Sequence, residues 1–97
     1  MIRAFSLNQN YPNPFNPTTK IQYAVGSRQT PIHITLKIHN ILGQEVRTLV
    51  DGPKTGGSHE VIWDGKDDRG REVASGIYLY QLKAGDLTET KKMLLLK

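Results

Sequence analysis

His33, His39 and His59 are the imidazoles that could hold a metal or move a proton, and Asp64, Asp67 and Asp68 form the densest group of carboxylates. His33 and His39 share one face of an alternating segment. Six residues at about 3.3 Å each put them about 20 Å apart, too far to hold one ion. The aspartates, followed by Gly70, have the crowding that calcium asks of a tight loop, but they lack the alternate-position acids and closing glutamate of an EF-hand. Aspartates turning back onto nearby backbone amides explain the cluster more simply. Calcium at Asp64, Asp67 and Asp68 is therefore a minor expectation, and no other cofactor or metal site is expected. Ser6, Ser27, Ser58 and Ser75 stand in no nucleophile elbow, and the chain has no cysteine. Gly52, Gly56 and Gly57 precede no helix that would bind phosphate. Tyr11, Trp63, Tyr78 and Tyr80 could line a sugar platform, yet the last three fall on the inward phases of strands. No catalytic residue emerges, and an enzyme is the weakest reading.

These side chains must be positioned by strands. From Ile32 to Asn40 the chain alternates, with Ile32, Ile34, Leu36 and Ile38 on one face and His33, Thr35, Lys37 and His39 on the other, the period of a half-buried strand. Ile21, Tyr23 and Val25 repeat the pattern, as do Val61 with Trp63, and Tyr78, Tyr80 with Leu82. No segment has the three-and-four spacing of a helix. Asn40-Ile41-Leu42-Gly43 and Asp67-Asp68-Arg69-Gly70 each read as a type I turn closed by a left-handed glycine, hence a hairpin. Ala84-Gly85-Asp86 reads as a third hairpin, and Asp51 to Gly57 as a longer polar loop. Six or seven strands at this spacing predict an all-β, antiparallel sandwich of two sheets.

Two segments depart from alternation. Tyr11 to Pro17 carries three prolines, cannot be a central strand, and is expected to run along an edge with Phe15, and secondarily Tyr11, as anchors. Near the C-terminus, Met93-Leu94-Leu95-Leu96 is apolar on both faces. A sandwich has one inner face, so Leu94 and Leu96 are expected either to be covered or to meet a partner.

Composition is consistent with this. Ninety-seven residues with nine Gly and five Pro make one small domain whose chain-breakers come too often for helices of ordinary length. The net charge of +4 is spread singly over Arg28, Lys37, Arg47, Lys54, Lys66 and Lys83, with one adjacent pair at Lys91 and Lys92. That spacing describes a solvated basic surface rather than a nucleic-acid patch. Residues 1–7 have no apolar run of signal-peptide length, and no stretch suggests membrane insertion.

Five blocks then carry a resemblance: Tyr11-Pro-Asn-Pro-Phe-Asn-Pro-Thr-Thr19, Leu36-Lys-Ile-His-Asn-Ile-Leu-Gly-Gln-Glu-Val46, Trp63-Asp-Gly-Lys-Asp-Asp-Arg-Gly70, Ala74-Ser-Gly-Ile-Tyr78 and Lys91-Lys-Met-Leu-Leu-Leu-Lys97. In this order they resemble the C-terminal sorting domain of type IX secretion cargo over about residues 5 to 97, leaving 1–4 as leader or added residues. Similar blocks occur in the immunoglobulin-like domain of the flagellar hook-capping protein; the proline-rich opening and the terminal Lys-Met-Leu-Leu-Leu-Lys favour the sorting domain. The resemblance implies a seven-stranded immunoglobulin-like sandwich, non-enzymatic, that directs a cargo through the periplasm and outer membrane to the cell surface or medium. Its implied partners are the outer-membrane secretion machinery and a sortase-like peptidase. By position, Gly76, Tyr78, Lys91, Lys92, Met93, Leu94, Leu95, Leu96 and Lys97 correspond to the family's terminal recognition motif. Pro12, Asn13, Pro14, Phe15 and Gly43 correspond to its earlier motifs, while Trp63, Asp64 and Gly70 belong to the third block and are expected to be structural. Such a chain would be the detachable end of a longer protein. The alternative is a structural immunoglobulin-like module that forms homo-oligomers or filaments by pairing of strand edges.

Overall fold

The alternating segments lie within strands, and Ile32 to Asn40 is one from end to end. The computed structural model describes residues 5–26 and 31–97; the leader expectation for residues 1–4, and Ser27 and Arg28, lie outside the described residues. The strands are β1 (Phe5–Leu7), β2 (Thr19–Val25), β3 (Ile32–Asn40), β4 (Glu45–Lys54), β5 (Gly57–Trp63), β6 (Gly76–Ala84) and β7 (Leu87–Leu95). No helix occurs among the described residues. Two antiparallel sheets form, ordered β1-β2-β5 and β4-β3-β6-β7.

The inner faces are those the period of two selects. Ile21, Tyr23 and Val25 from one sheet meet Ile34, Leu36, Ile38, Tyr80 and Leu82 from the other, all buried. Burial of such side chains contributes about 1.5 to 3 kcal/mol each. At one end of this layer Trp63, with no exposed surface, lies with its ring centroid 5.7 Å from Phe15 and 5.4 Å from Tyr78, the latter edge-on at 71°. Edge-to-face aromatic pairs add about 0.5 to 1.5 kcal/mol beyond burial. The indole N–H, which would otherwise be buried without a partner, donates to the Lys66 carbonyl at 2.9 Å.

The β3–β4 hairpin turns at Asn40 to Gly43 as expected. Asn40 Oδ1 accepts from the Leu42 and Gln44 amides, and Gly43 takes φ +84°, a conformation that favours glycine. The β6–β7 hairpin closes at Gly85 between Ala84 and Leu87. The Asp67–Gly70 turn also forms, with the Gly70 amide on the Asp67 carbonyl, but its only ladder is the single Lys66–Glu72 bridge. It is not a hairpin between neighbouring strands, because β5 and β6 belong to opposite sheets and the turn sits on the crossover. The polar loop expected at Asp51 to Gly57 shrinks to Thr55 and Gly56. Strand β4 continues to Lys54 with Pro53 opposite His33, which an edge strand tolerates because one side of its backbone needs no ladder partner.

Residues 8–18 form a strap outside both sheets. Phe15 is its anchor, 2% exposed; Tyr11 is not, at 79%. Tyr11 pairs its backbone with Lys20, which leaves the ring on the outer side of β2. The second anchor is instead polar. The Asn10 amide donates to Tyr80 Oη at 2.8 Å, and that hydroxyl donates to the Asn8 carbonyl at 2.8 Å.

Phe15→Ala is expected to lower stability in urea unfolding by about 3 to 5 kcal/mol, against less than about 0.5 kcal/mol for Tyr11→Ala. Burial pushes the Tyr80 hydroxyl up from 10.0 to about 12, with the Asn10 amide pulling weakly the other way. The folded state therefore holds this proton more tightly, so its contribution is complete below pH 10 and falls away between pH 10 and about 12. That loss is on the order of 3 kcal/mol. Tyr80→Phe should flatten this alkaline slope while costing about 1 to 3 kcal/mol at neutral pH, because it strips the Asn10 amide and Asn8 carbonyl of their partner.

Candidate functional site at the C-terminal strand

Strand β7 is an edge strand, and its apolar end divides between two faces. Met93 and Leu95 point into the sandwich and are buried; Lys91 shares their phase and is half-buried. Lys92 and Leu94 point outward, opposite Leu79 and Ile77 of β6. Leu96, just past the strand, is 48% exposed and Ile77 is 47% exposed. The residues matched to a terminal recognition motif therefore do not form one surface. Met93 and Leu95 serve the core, Lys92, Leu94 and Leu96 are presented on the outer side next to Ile77 and Leu79, and Lys97 turns to Glu72 of the crossover.

The free backbone edge of this stretch is already occupied by the strap. Asn13 Oδ1 accepts from the Leu94 amide at 2.9 Å, and the Phe15 amide donates to the Leu94 carbonyl at 3.0 Å. The Leu96 amide donates to the Phe15 carbonyl at 2.9 Å, which makes Phe15 a parallel bridge partner of Leu95. Gln9 Nε2 donates to the Lys92 carbonyl at 2.7 Å. The Lys97 amide donates to Ser75 Oγ at 3.1 Å, and its ammonium lies 3.4 Å from Glu72. An extended partner thus has no open ladder from Lys92 to Leu96 to add to. What remains open on this stretch is side chains: a row of half-exposed aliphatics beside Lys92.

The other residues singled out in sequence hold this arrangement in place. Gly76 pairs with Leu95 and Tyr78 with Met93, so the Gly76–Tyr78 segment and the tail are neighbours. Tyr78 is buried and donates to the Ala74 carbonyl at 2.6 Å; burial raises its pKa. Gly76 meets no close approach, since a Cβ there would have nothing within 4 Å. Its requirement is the backbone φ of +151°. Gly70 closes its turn at φ +81°. Pro12 offers its carbonyl to Thr19 Oγ1 at 2.8 Å and to Asn10 Nδ2 at 3.2 Å, and Asn10 Nδ2 also reaches Thr19 Oγ1 at 2.9 Å. Pro14 lies between Asn13 and Phe15, the strap residues that bond β7. Asn10 and Thr19, both buried, escaped sequence reasoning. The signal available was an asparagine placed before Pro-rich turn chemistry.

The aspartate cluster is consumed by backbone amides and two arginines, Arg47 against Asp64 and Asp68 and Arg71 against Asp67. Asp67 Oδ1 accepts from the Arg71 and Arg69 amides, and these bonds, Arg71 first, hold its carboxyl below the usual range. Asp68 Oδ1 accepts from the Thr48 amide, and Asp64 Oδ1 from the Lys66 amide. Arg47 Nη1 lies 3.2 Å from Asp64 and 3.1 Å from the Lys66 carbonyl. Arg47, one of the singly spaced basic residues, thus places a positive charge among the aspartates of the minor calcium expectation. Among the described residues no group of three or more His, Asp or Glu side chains is arranged to hold a metal.

Residues 16–87 match the profile of the FlgD Ig-like domain. The chain belongs to that family. The match on this FlgD Ig-like domain begins just after Phe15 and ends at Leu87, so most of the strap and nearly all of β7 fall outside it. Among solved structures, dimeric latent PorU from Porphyromonas gingivalis aligns with a TM-score of 0.77 at 18% identity over 95% of this chain and 9% of PorU. PorZ of the same organism, described as a surface component of the type-IX secretion system, aligns at 0.59 and 19% over 94% of this chain and 11% of PorZ. FlgD from Xanthomonas campestris aligns at 0.58 and 19% over 95% of this chain and 62% of that one. This chain thus spans only a small part of PorU and PorZ. At these identities the likeness is one of fold. No curated protein sequence matches the chain.

Asn13→Ala should speed hydrogen exchange of the Leu94 amide by removing its acceptor. The Leu96 amide, held by the Phe15 carbonyl, should stay protected, and residue-resolved exchange by NMR distinguishes the two.

Proposed function

We propose that this domain is a non-enzymatic C-terminal sorting signal that directs a cargo through the type IX secretion translocon to the cell surface. One observation carries the reading. The two segments outside the FlgD Ig-like match, the strap and the end of β7, are bonded to each other through Asn13, Phe15, Leu94 and Leu96. They act as one added unit on a common sandwich, and they are the blocks by which the chain resembles the sorting domain rather than the hook-capping one. PorU and PorZ, the latter a type-IX secretion component by its description, lend the reading support through their fold. The secretion machinery would read the outer side chains Ile77, Leu94 and Leu96 with Lys92, not the backbone edge. Such a row suits a partner with an apolar groove and an acidic rim. A sortase-like peptidase is the proposed second partner, acting after export. The alternative, an assembly module joined by edge pairing, would have to use edges other than that of Lys92 to Leu96, which the strap covers.

The whole chain fused behind a periplasmic reporter should bring that reporter to the surface of a host with type IX secretion. Leu94→Glu with Leu96→Glu should abolish surface display while the fusion stays folded in the periplasm. Display that survives both substitutions overturns the reading.

A further inference from the structure

We propose that the outer face of the β1-β2-β5 sheet binds a neutral oligosaccharide. This face is opposite the one that carries Ile77 and Leu94, and nothing in the sorting role uses it. The sheet register sets three rows across it: Tyr11, Lys20 and Ile62; Asn8, Gln22 and Glu60; Ser6, Ala24 and Ser58. Along β5 the rows span four residues, about 13 Å. The first row offers an apolar platform. The Tyr11 ring is 79% exposed and Ile62 57% exposed, and with Pro12 they border a hollow of about 280 Å³. The other two rows line a second hollow of about 280 Å³ on the same face.

The decisive feature is how the polar groups there are spent. In the cleft between the Asp67 turn and the β3–β4 hairpin, Asp67, Asp68, Asn40 and Gln44 are bonded to one another or to nearby backbone. On the outer face of the β1-β2-β5 sheet, the side chains of Ser6, Asn8, Gln22 and Ser58 make no hydrogen bond within the described residues. The one charged pair among the described residues there, Lys20 with Glu60 at 2.8 Å, is neutralised internally. Uncommitted amides and hydroxyls in a shallow trough, beside an exposed ring and an internally neutralised ion pair, match the chemistry of a sugar. Its hydroxyls both donate and accept, and its apolar C–H face stacks on an aromatic ring. A nucleic acid or other polyanion would need unpaired cations, and the described residues of this face offer none.

The test is an NMR titration of the ¹⁵N-labelled whole chain with cellotriose, chitotriose, xylotriose and maltotriose at millimolar concentrations. At least one should cause saturable shifts confined to the amides of Tyr11, Lys20, Gln22, Glu60 and Ile62. Tyr11→Ala, whose exposed ring is not part of the core, should weaken that binding about tenfold. Tyr11→Phe should retain it, and Ile77→Ser on the opposite face should leave it unchanged. The proposal is overturned by the absence of saturable shifts with all of these sugars, by equal affinity in Tyr11→Ala, or by shifts that map to the other sheet.

Discussion

The Trp63 indole is the point at which three parts of the chain that share no sheet are joined. Trp63 ends β5 in the three-stranded sheet, Tyr78 lies in β6 of the four-stranded one, and Phe15 comes from a strap that belongs to neither. A small sandwich has a thin core, and a domain of this size is stable by only about 5 to 15 kcal/mol. A cluster of three aromatic rings with a satisfied indole N–H therefore supplies a large share of what holds the layers in register. Without it the strap would keep only its hydrogen bonds, which in water contribute about 0.5 to 1.5 kcal/mol each.

The strap in turn decides how the end of the chain can be read. An edge strand with an open ladder invites any extended peptide, and sandwiches of this kind must block that edge or risk aggregation. Here Asn13 and Phe15 bond the outer side of β7, and the prolines around them present few donors of their own. Blocking the backbone leaves side chains alone, Ile77, Leu94 and Leu96 with Lys92, for any partner of this face to meet, and side chains discriminate by shape and charge.

Much of this was legible in the sequence because a period of two is a direct consequence of a one-sided core. The alternation at Ile32 to Asn40 placed β3 with its true ends, and the inward positions of Trp63, Tyr78 and Tyr80 followed from the same rule. The turn at Asn40 to Gly43 was readable because its glycine is required by φ. Long-range bonding was not legible. Tyr11 looked like an anchor by its apolar ring, whereas the anchoring is done by Asn10, whose partner Tyr80 is distant in sequence. Likewise the Asp67–Gly70 turn has the local chemistry of a hairpin, and only the crossover between sheets shows that it joins no neighbouring strands. The aspartates resembled a cation site because Arg47, which occupies their midst, comes from a different strand.

The bond between Asn13 and Leu94 spans 81 residues of sequence. Closing a loop of that length costs chain entropy, offset where Phe15, Met93 and Leu95 are buried together with the bond. A chain that stopped before Met93 would lack two core side chains and would leave the Phe15 amide without its acceptor. The strap and the end of β7 therefore depend on each other: the outer face of β7 is set in place only where Met93 to Leu96 are present to bond the strap.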